Sequence, residues 1–66
     1  MRMNEKTTTV AGQTFTVWSD YIKRGTYAAN ASGEEKRIFG GGYISNDLTI
    51  RKAIAASFGL RTFRKN

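Results

Sequence analysis

Cysteine, histidine and proline are all missing from this chain. Without cysteine there is neither a disulfide nor a thiolate metal site to support the fold. Without histidine the usual general base and the commonest metal ligand are gone. Small secreted domains normally carry such staples, so their absence points to a reducing compartment, and a cytoplasmic location is expected. Long apolar runs are missing too: none approaches the ~20 residues of a membrane span. The opening Met1-Arg2-Met3-Asn4-Glu5-Lys6 is polar, which excludes a signal peptide, and no membrane partner is expected. No proline-rich linker, low-complexity tract or repeat divides the 66 residues, so residues 1–66 read as a single small domain, with 1–5 and 61–66 as flexible tails.

Acids are scarce. Glu5, Asp20, Glu34, Glu35 and Asp47 stand against eleven Lys and Arg, for a formal net charge of +6. Glu34 and Glu35 are adjacent, so on a strand they point to opposite faces and make a poor acid–base pair. A domain of this size buries only about 60% of its unfolded surface, which leaves little room for an enclosed active site. No catalytic residue, cofactor or metal is expected. Gly40-Gly41-Gly42 lacks the Gly-Lys-Ser/Thr ending of a phosphate-binding loop and reads as a bend.

What is present is mostly strand. Thr7-Thr8-Thr9-Val10 is β-branched, and Thr14-Phe15-Thr16-Val17-Trp18 alternates, with Gly12 between them supplying a hairpin turn. Phe15 and Val17 share one face; Thr14, Thr16 and Trp18 share the other. Further strands are expected at Thr26–Ala29 and Lys36–Phe39, separated by the turn Asn30-Ala31-Ser32-Gly33. A helix starting between Ser45 and Thr49 and ending at Phe58 carries an apolar stripe through Ile50, Ala53, Ile54 and Phe58. Gly59 sits where a left-handed cap belongs, and Leu60 where an apolar residue packs back. The fold class is therefore α+β: a small antiparallel sheet of three to four strands packed against one C-terminal helix. Phe15, Val17, Ile38, Ile50, Ile54 and Phe58 are the expected core.

The basic residues come in dyads, Lys23-Arg24, Lys36-Arg37, Arg51-Lys52 and Arg64-Lys65, interleaved with aromatics. Flexible cations spread over a surface suit phosphate neutralisation, and an aromatic on the open sheet face suits base stacking. Most of the eight aromatics of so small a protein must serve the core. Trp18, opposite Phe15 and Val17, is the first choice for an exposed ring, and Tyr27 the second. Lys23, Arg24, Lys36, Arg37 and the tail cations Arg61, Arg64 and Lys65 complete the expected nucleic-acid-binding set. The expected partner is nucleic acid, DNA in the first instance. The alternative is an acidic host protein bound by a small inhibitor or adaptor of the kind mobile genetic elements encode, through an aromatic patch or strand edge.

Two resemblances bear on this. Thr49–Leu60 looks like the first helix and turn of a helix-turn-helix, with Ala55 and Gly59 at that family's four-residue spacing; a recognition helix would have to follow, and six residues remain. Over Lys6–Leu60, the strands, Arg37-Ile38-Phe39-Gly40-Gly41-Gly42-Tyr43-Ile44 and the Ala-rich helix together resemble, in element order, the AP2-type and phage-integrase amino-terminal DNA-binding domains. That resemblance implies a three-stranded sheet in the major groove, supported from behind by the helix, with Trp18, Lys23, Arg24 and Arg37 on the reading face. The additional amino-terminal strand departs from the family pattern.

Overall fold

The β-branched and alternating stretches near the start of the chain form strands that pair in sequence order. A computed structural model describes residues 2–40 and 46–60. β1 (Arg2–Val10), β2 (Gln13–Asp20), β3 (Gly25–Ala29) and β4 (Glu35–Phe39) make one antiparallel sheet in the order β1-β2-β3-β4, and α1 (Asp47–Phe58) packs on it. The α+β fold expected from the sequence is the fold observed. Tyr43, Ile44 and the tail cations Arg61, Arg64 and Lys65 lie outside the described residues, as does any segment that could serve as a recognition helix after Leu60.

Strand alternation decides which side chains meet the helix. Phe15 and Val17 on β2, Val10 on β1 and Ala28 on β3 are buried with Ile50, Ile54 and Ala55 of α1, while Ile38, Phe58 and Leu60 close the margin, half-buried. The Phe15 and Phe58 rings sit 5.0 Å apart at 60°, a tilted geometry that aromatic quadrupoles favour. Val10, Ala28 and Ala55 belong to this core although the sequence reading did not place them there.

Both ends of α1 are satisfied by local chemistry. The Asn46 side chain accepts the Thr49 N–H at 2.9 Å, as an N-cap should. Gly59 is left-handed at φ 68°, and the N–H groups of Gly59 and Leu60 both reach the Ala55 carbonyl, the latter at 2.8 Å. This is the Schellman closure, with Leu60 packed back against the core. The last turn of α1 has no basic residue of its own. Lys36 supplies the charge from β4, its ammonium donating to the Ser57 carbonyl at 3.2 Å and lying 5.3 Å from the Phe58 ring, where it favours the negative helix end.

Residues 1–5 are not a loose tail from Arg2 onward. β1 begins at Arg2, and between Met3 and Lys6 its register against β2 shifts: Met3 faces Ser19 while Lys6 faces Val17. Three steps on β1 answer two on β2, so one extra residue is accommodated in a bulge, and Asn4 takes a positive φ of 56° there. An extra residue reverses the inward–outward parity of everything before it. Arg2, paired with Asp20, thereby arrives on the sheet face opposite the helix.

The β1–β2 hairpin turns through Ala11 and Gly12, at φ 52° and 76°, flanked by the pair Val10 and Gln13. Two consecutive positive φ values define the turn that best matches strand twist, and it favours Asn-Gly. Alanine is strained there because its Cβ crowds the backbone. Ala11→Asn is therefore expected to stabilise the domain by about 1 kcal/mol, read as a raised urea midpoint at unchanged m-value. Unchanged or lowered stability would show that Ala11 does not hold this conformation in solution.

Candidate functional site

The sheet face away from α1 carries the side chains that alternate with the core. Trp18 faces Tyr27 across β2 and β3, and Tyr27 faces Arg37 across β3 and β4. The Trp18 and Tyr27 rings stack with centroids 6.1 Å apart and planes 14° from parallel. The Arg2 guanidinium lies 3.6 Å from the Trp18 ring centre. Its Nη1 meets Glu5 at 3.3 Å, and its Nη2 meets Glu35, on the far edge strand, at 3.2 Å. On the other side of the pair, the Lys23 ammonium sits 5.1 Å from the Tyr27 ring. The face is thus roofed by cations and aromatics in alternation, each cation attracted by the negative face of a ring.

This arrangement corrects the expected role of Trp18. The residue is on the predicted face but only 3% exposed, because Arg2 covers it and Tyr27 flanks it. It is a packing residue of a second, smaller layer, with no free ring face for a base. Tyr27 is half-buried in the same stack.

The β2–β3 loop holds the groups that remain accessible. Asp20, buried at the end of β2, accepts the Ile22 N–H at 3.0 Å and the Lys23 N–H at 2.9 Å. These bonds, that from Lys23 above all, hold its carboxyl below the ordinary value, with desolvation pulling the other way. The chain then passes through Arg24 at φ 60° into β3. Arg37 leans back over this turn: its Nη2 donates to the Arg24 carbonyl at 2.8 Å and to the Gly40 carbonyl at 3.4 Å. Gly25 lies directly beneath. A Cβ there would stand 2.7 Å from Arg37 Nε and 3.3 Å from the Tyr27 ring, so glycine is what lets the guanidinium settle. Both Arg37 bonds use one of its nitrogens, and the guanidinium fork has five N–H donors, so most of them can still meet an anion.

Lys23, Arg24 and Arg37 are consequently gathered at one end of the sheet. Among the described residues no carboxylate lies within 4.0 Å of any of the three, whereas Arg2, Lys36 and Arg51 each have an acidic partner. The Lys36-Arg37 dyad is split by strand alternation: Arg37 joins this end, and Lys36 serves the helix side. Lys36 therefore departs from the expected grouping for a physical reason: the last turn of α1 has no basic residue of its own, and Lys36 donates to its Ser57 carbonyl.

The same loop exposes Tyr21 at 62% and Ile22 at 74%; the sequence sets Tyr21 among the aromatics interleaved with the basic dyads but does not mark it as the exposed one, and it does not mark Ile22 at all. Their position between Asp20, a turn-former, and Gly25 was the available signal. Arg2 was also missed; its role depends on a bulge that no local pattern announces.

The Asp20 contacts predict a pH dependence. A carboxyl whose folded pKa is depressed adds stability that is fully present above its unfolded value, 3.8, and is lost as pH falls through the lower folded value. Asp20→Asn is expected to be less stable than the native chain at pH 7, with the gap closing below about pH 4, in urea unfolding followed at both pH values. A gap that stays constant with pH would mean the carboxylate charge is not engaged. No protein-family model, curated protein or solved structure matches this chain.

Proposed function

We propose that the domain is a non-catalytic nucleic-acid-binding module that grips the phosphate backbone with the Lys23, Arg24 and Arg37 end of its sheet. One observation carries this reading: these three cations, two from the β2–β3 loop and one from β4, are gathered at one end of the sheet with no acidic partner among the described residues. Among the described residues, Arg2, Lys36 and Arg51 by contrast each lie against a carboxylate. Leaving three cations together repels unless an anion completes the cluster, and phosphate does so without demanding a cavity. Arg61, Arg64 and Lys65 add to the net charge of +6 and strengthen the long-range attraction. The resemblance in element order to the AP2-type and phage-integrase domains supports a sheet-side contact with DNA, and the lack of cysteine supports a cytoplasmic setting.

The alternative, a small inhibitor or adaptor of a mobile genetic element that binds an acidic host protein, is favoured by Ile22. An isoleucine 74% exposed at a loop tip fits a hydrophobic pocket rimmed by acids as naturally as it fits a groove.

Salt dependence separates the two. On duplex DNA each phosphate contact contributes a log–log slope of about −0.9, so three to five contacts give about −3 to −4.5. Replacing Lys23 and Arg24 by Glu is expected to weaken binding and flatten the slope by about 2, leaving the fold intact because both residues are exposed. Fluorescence anisotropy across a salt series measures both. Affinity no tighter than ~10⁻⁴ M at ~150 mM salt for any nucleic acid would refute the proposal and leave the protein partner.

A further inference from the structure

The β2–β3 loop is short, well anchored and oddly apolar. Asp20 ties down its Ile22 and Lys23 amides, and Arg37 ties down the Arg24 carbonyl at 2.8 Å. A loop held at both ends presents its side chains in a fixed arrangement, yet what it presents to water at its start is a tyrosine and an isoleucine. The other aromatics among the described residues are already committed. Phe15 is buried, Phe39 and Phe58 are half-buried, Trp18 lies under Arg2, and Tyr27 is stacked between Trp18 and Lys23. Tyr21 is thus the one described aromatic with most of its surface exposed, and it leads into Lys23 and Arg24, with Arg37 bonded to the same turn.

We infer that this loop binds unpaired nucleic acid, Tyr21 stacking on a base while Lys23, Arg24 and Arg37 hold the flanking phosphates. The inference rests on the proposed nucleic-acid reading and narrows it to single strands. In a duplex each base is covered above and below by its neighbours, so a ring at a loop tip can stack only after a base has been unstacked and turned out. In a single strand the base faces are open, every base has one, and stacking is tolerant of sequence. Ile22, the next residue of the loop, is exposed as well and adds apolar surface. The covered state of Trp18 favours the same conclusion: with the flat sheet face roofed by Arg2, the available stacking group is at the loop rather than on the sheet.

The test compares two labelled probes, a thymidine single strand about twelve nucleotides long, within ordinary single-strand site sizes, and a duplex of the same length. At ~150 mM salt the single strand is expected to bind about tenfold more tightly than the duplex, and Tyr21→Ala to remove about that factor from the single strand while changing duplex binding less than about twofold. Tyr21→Phe should restore the single-strand affinity, since it keeps the ring. Unchanged Trp18 fluorescence establishes that each variant is folded. Duplex binding equal to or tighter than single-strand binding, with Tyr21→Ala neutral on both, overturns the inference and leaves the nucleic-acid reading standing. No binding to either probe overturns both. Binding to phosphatidylserine vesicles that is lost in Tyr21→Ala, with weak and equal binding to the two nucleic acids, overturns the inference in favour of a lipid surface.

Discussion

The contact between the Arg2 guanidinium and the Trp18 ring, 3.6 Å from its centre, is what lets this sheet have two covered faces. The single helix can shelter only one. The other carries the largest side chain in the protein, and leaving an indole in water would forfeit much of the burial a 66-residue domain depends on. Arg2 solves this by lying flat on the ring. Cation–π contacts of this kind contribute roughly 0.5–2 kcal/mol depending on desolvation, which matters in a domain whose whole stability is of order 0.05–0.15 kcal/mol per residue. The ion pairs to Glu5 and Glu35 are exposed and add little by themselves. Their effect is to fix where the guanidinium lies, spanning from one edge strand to the other.

That contact depends on a single backbone irregularity. Without the bulge at Asn4, Arg2 would fall on the opposite parity and project toward the helix side. The same logic of alternation sorts the remaining cations. Lys36 and Arg37 are neighbours in sequence and opposites in space: one completes the carbonyl end of α1, the other reaches over Gly25 to the β2–β3 loop. Charges that serve the fold are thus paired with acids or carbonyls. The cluster proposed to meet a ligand has no acidic partner among the described residues, and Arg37 and the loop assemble it from two separate elements.

Features set by local chemistry were readable from the residues alone. The start of α1 between Ser45 and Thr49, the Gly59 and Leu60 cap, the Gly12 hairpin and the stripe through Ile50 and Ile54 each depend on neighbours within a turn or two, though which of Ser45, Asn46 and Asp47 caps the helix does not follow from the sequence. The orientation of Trp18 was also legible, because Phe15 and Val17 fix the parity of β2. Its burial was not, since this requires a residue sixteen positions earlier to arrive on the correct face, through a bulge with no glycine to announce it. Arg2 was accordingly read as part of a tail. The basic dyads were visible as charge, but not as separate groups, because separation follows from strand direction and from a helix end that lacks its own cation. Tyr21 and Ile22 sat in a segment with no periodicity: Asp20 and Gly25 mark it as a turn, and the anchoring by Asp20 and Arg37 is what fixes how it is held.

The second covered face of the sheet rests on the shielding of Trp18 by Arg2, and the chain contains one tryptophan, so its fluorescence reports on that site alone. Acrylamide quenching of the native protein and of Arg2→Ala measures the shielding. The native indole is expected to be poorly accessible and the variant's markedly more so, with the helix and sheet retained by circular dichroism. A native tryptophan quenched as readily as free indole, or one whose accessibility is unmoved by the loss of Arg2, would contradict the account.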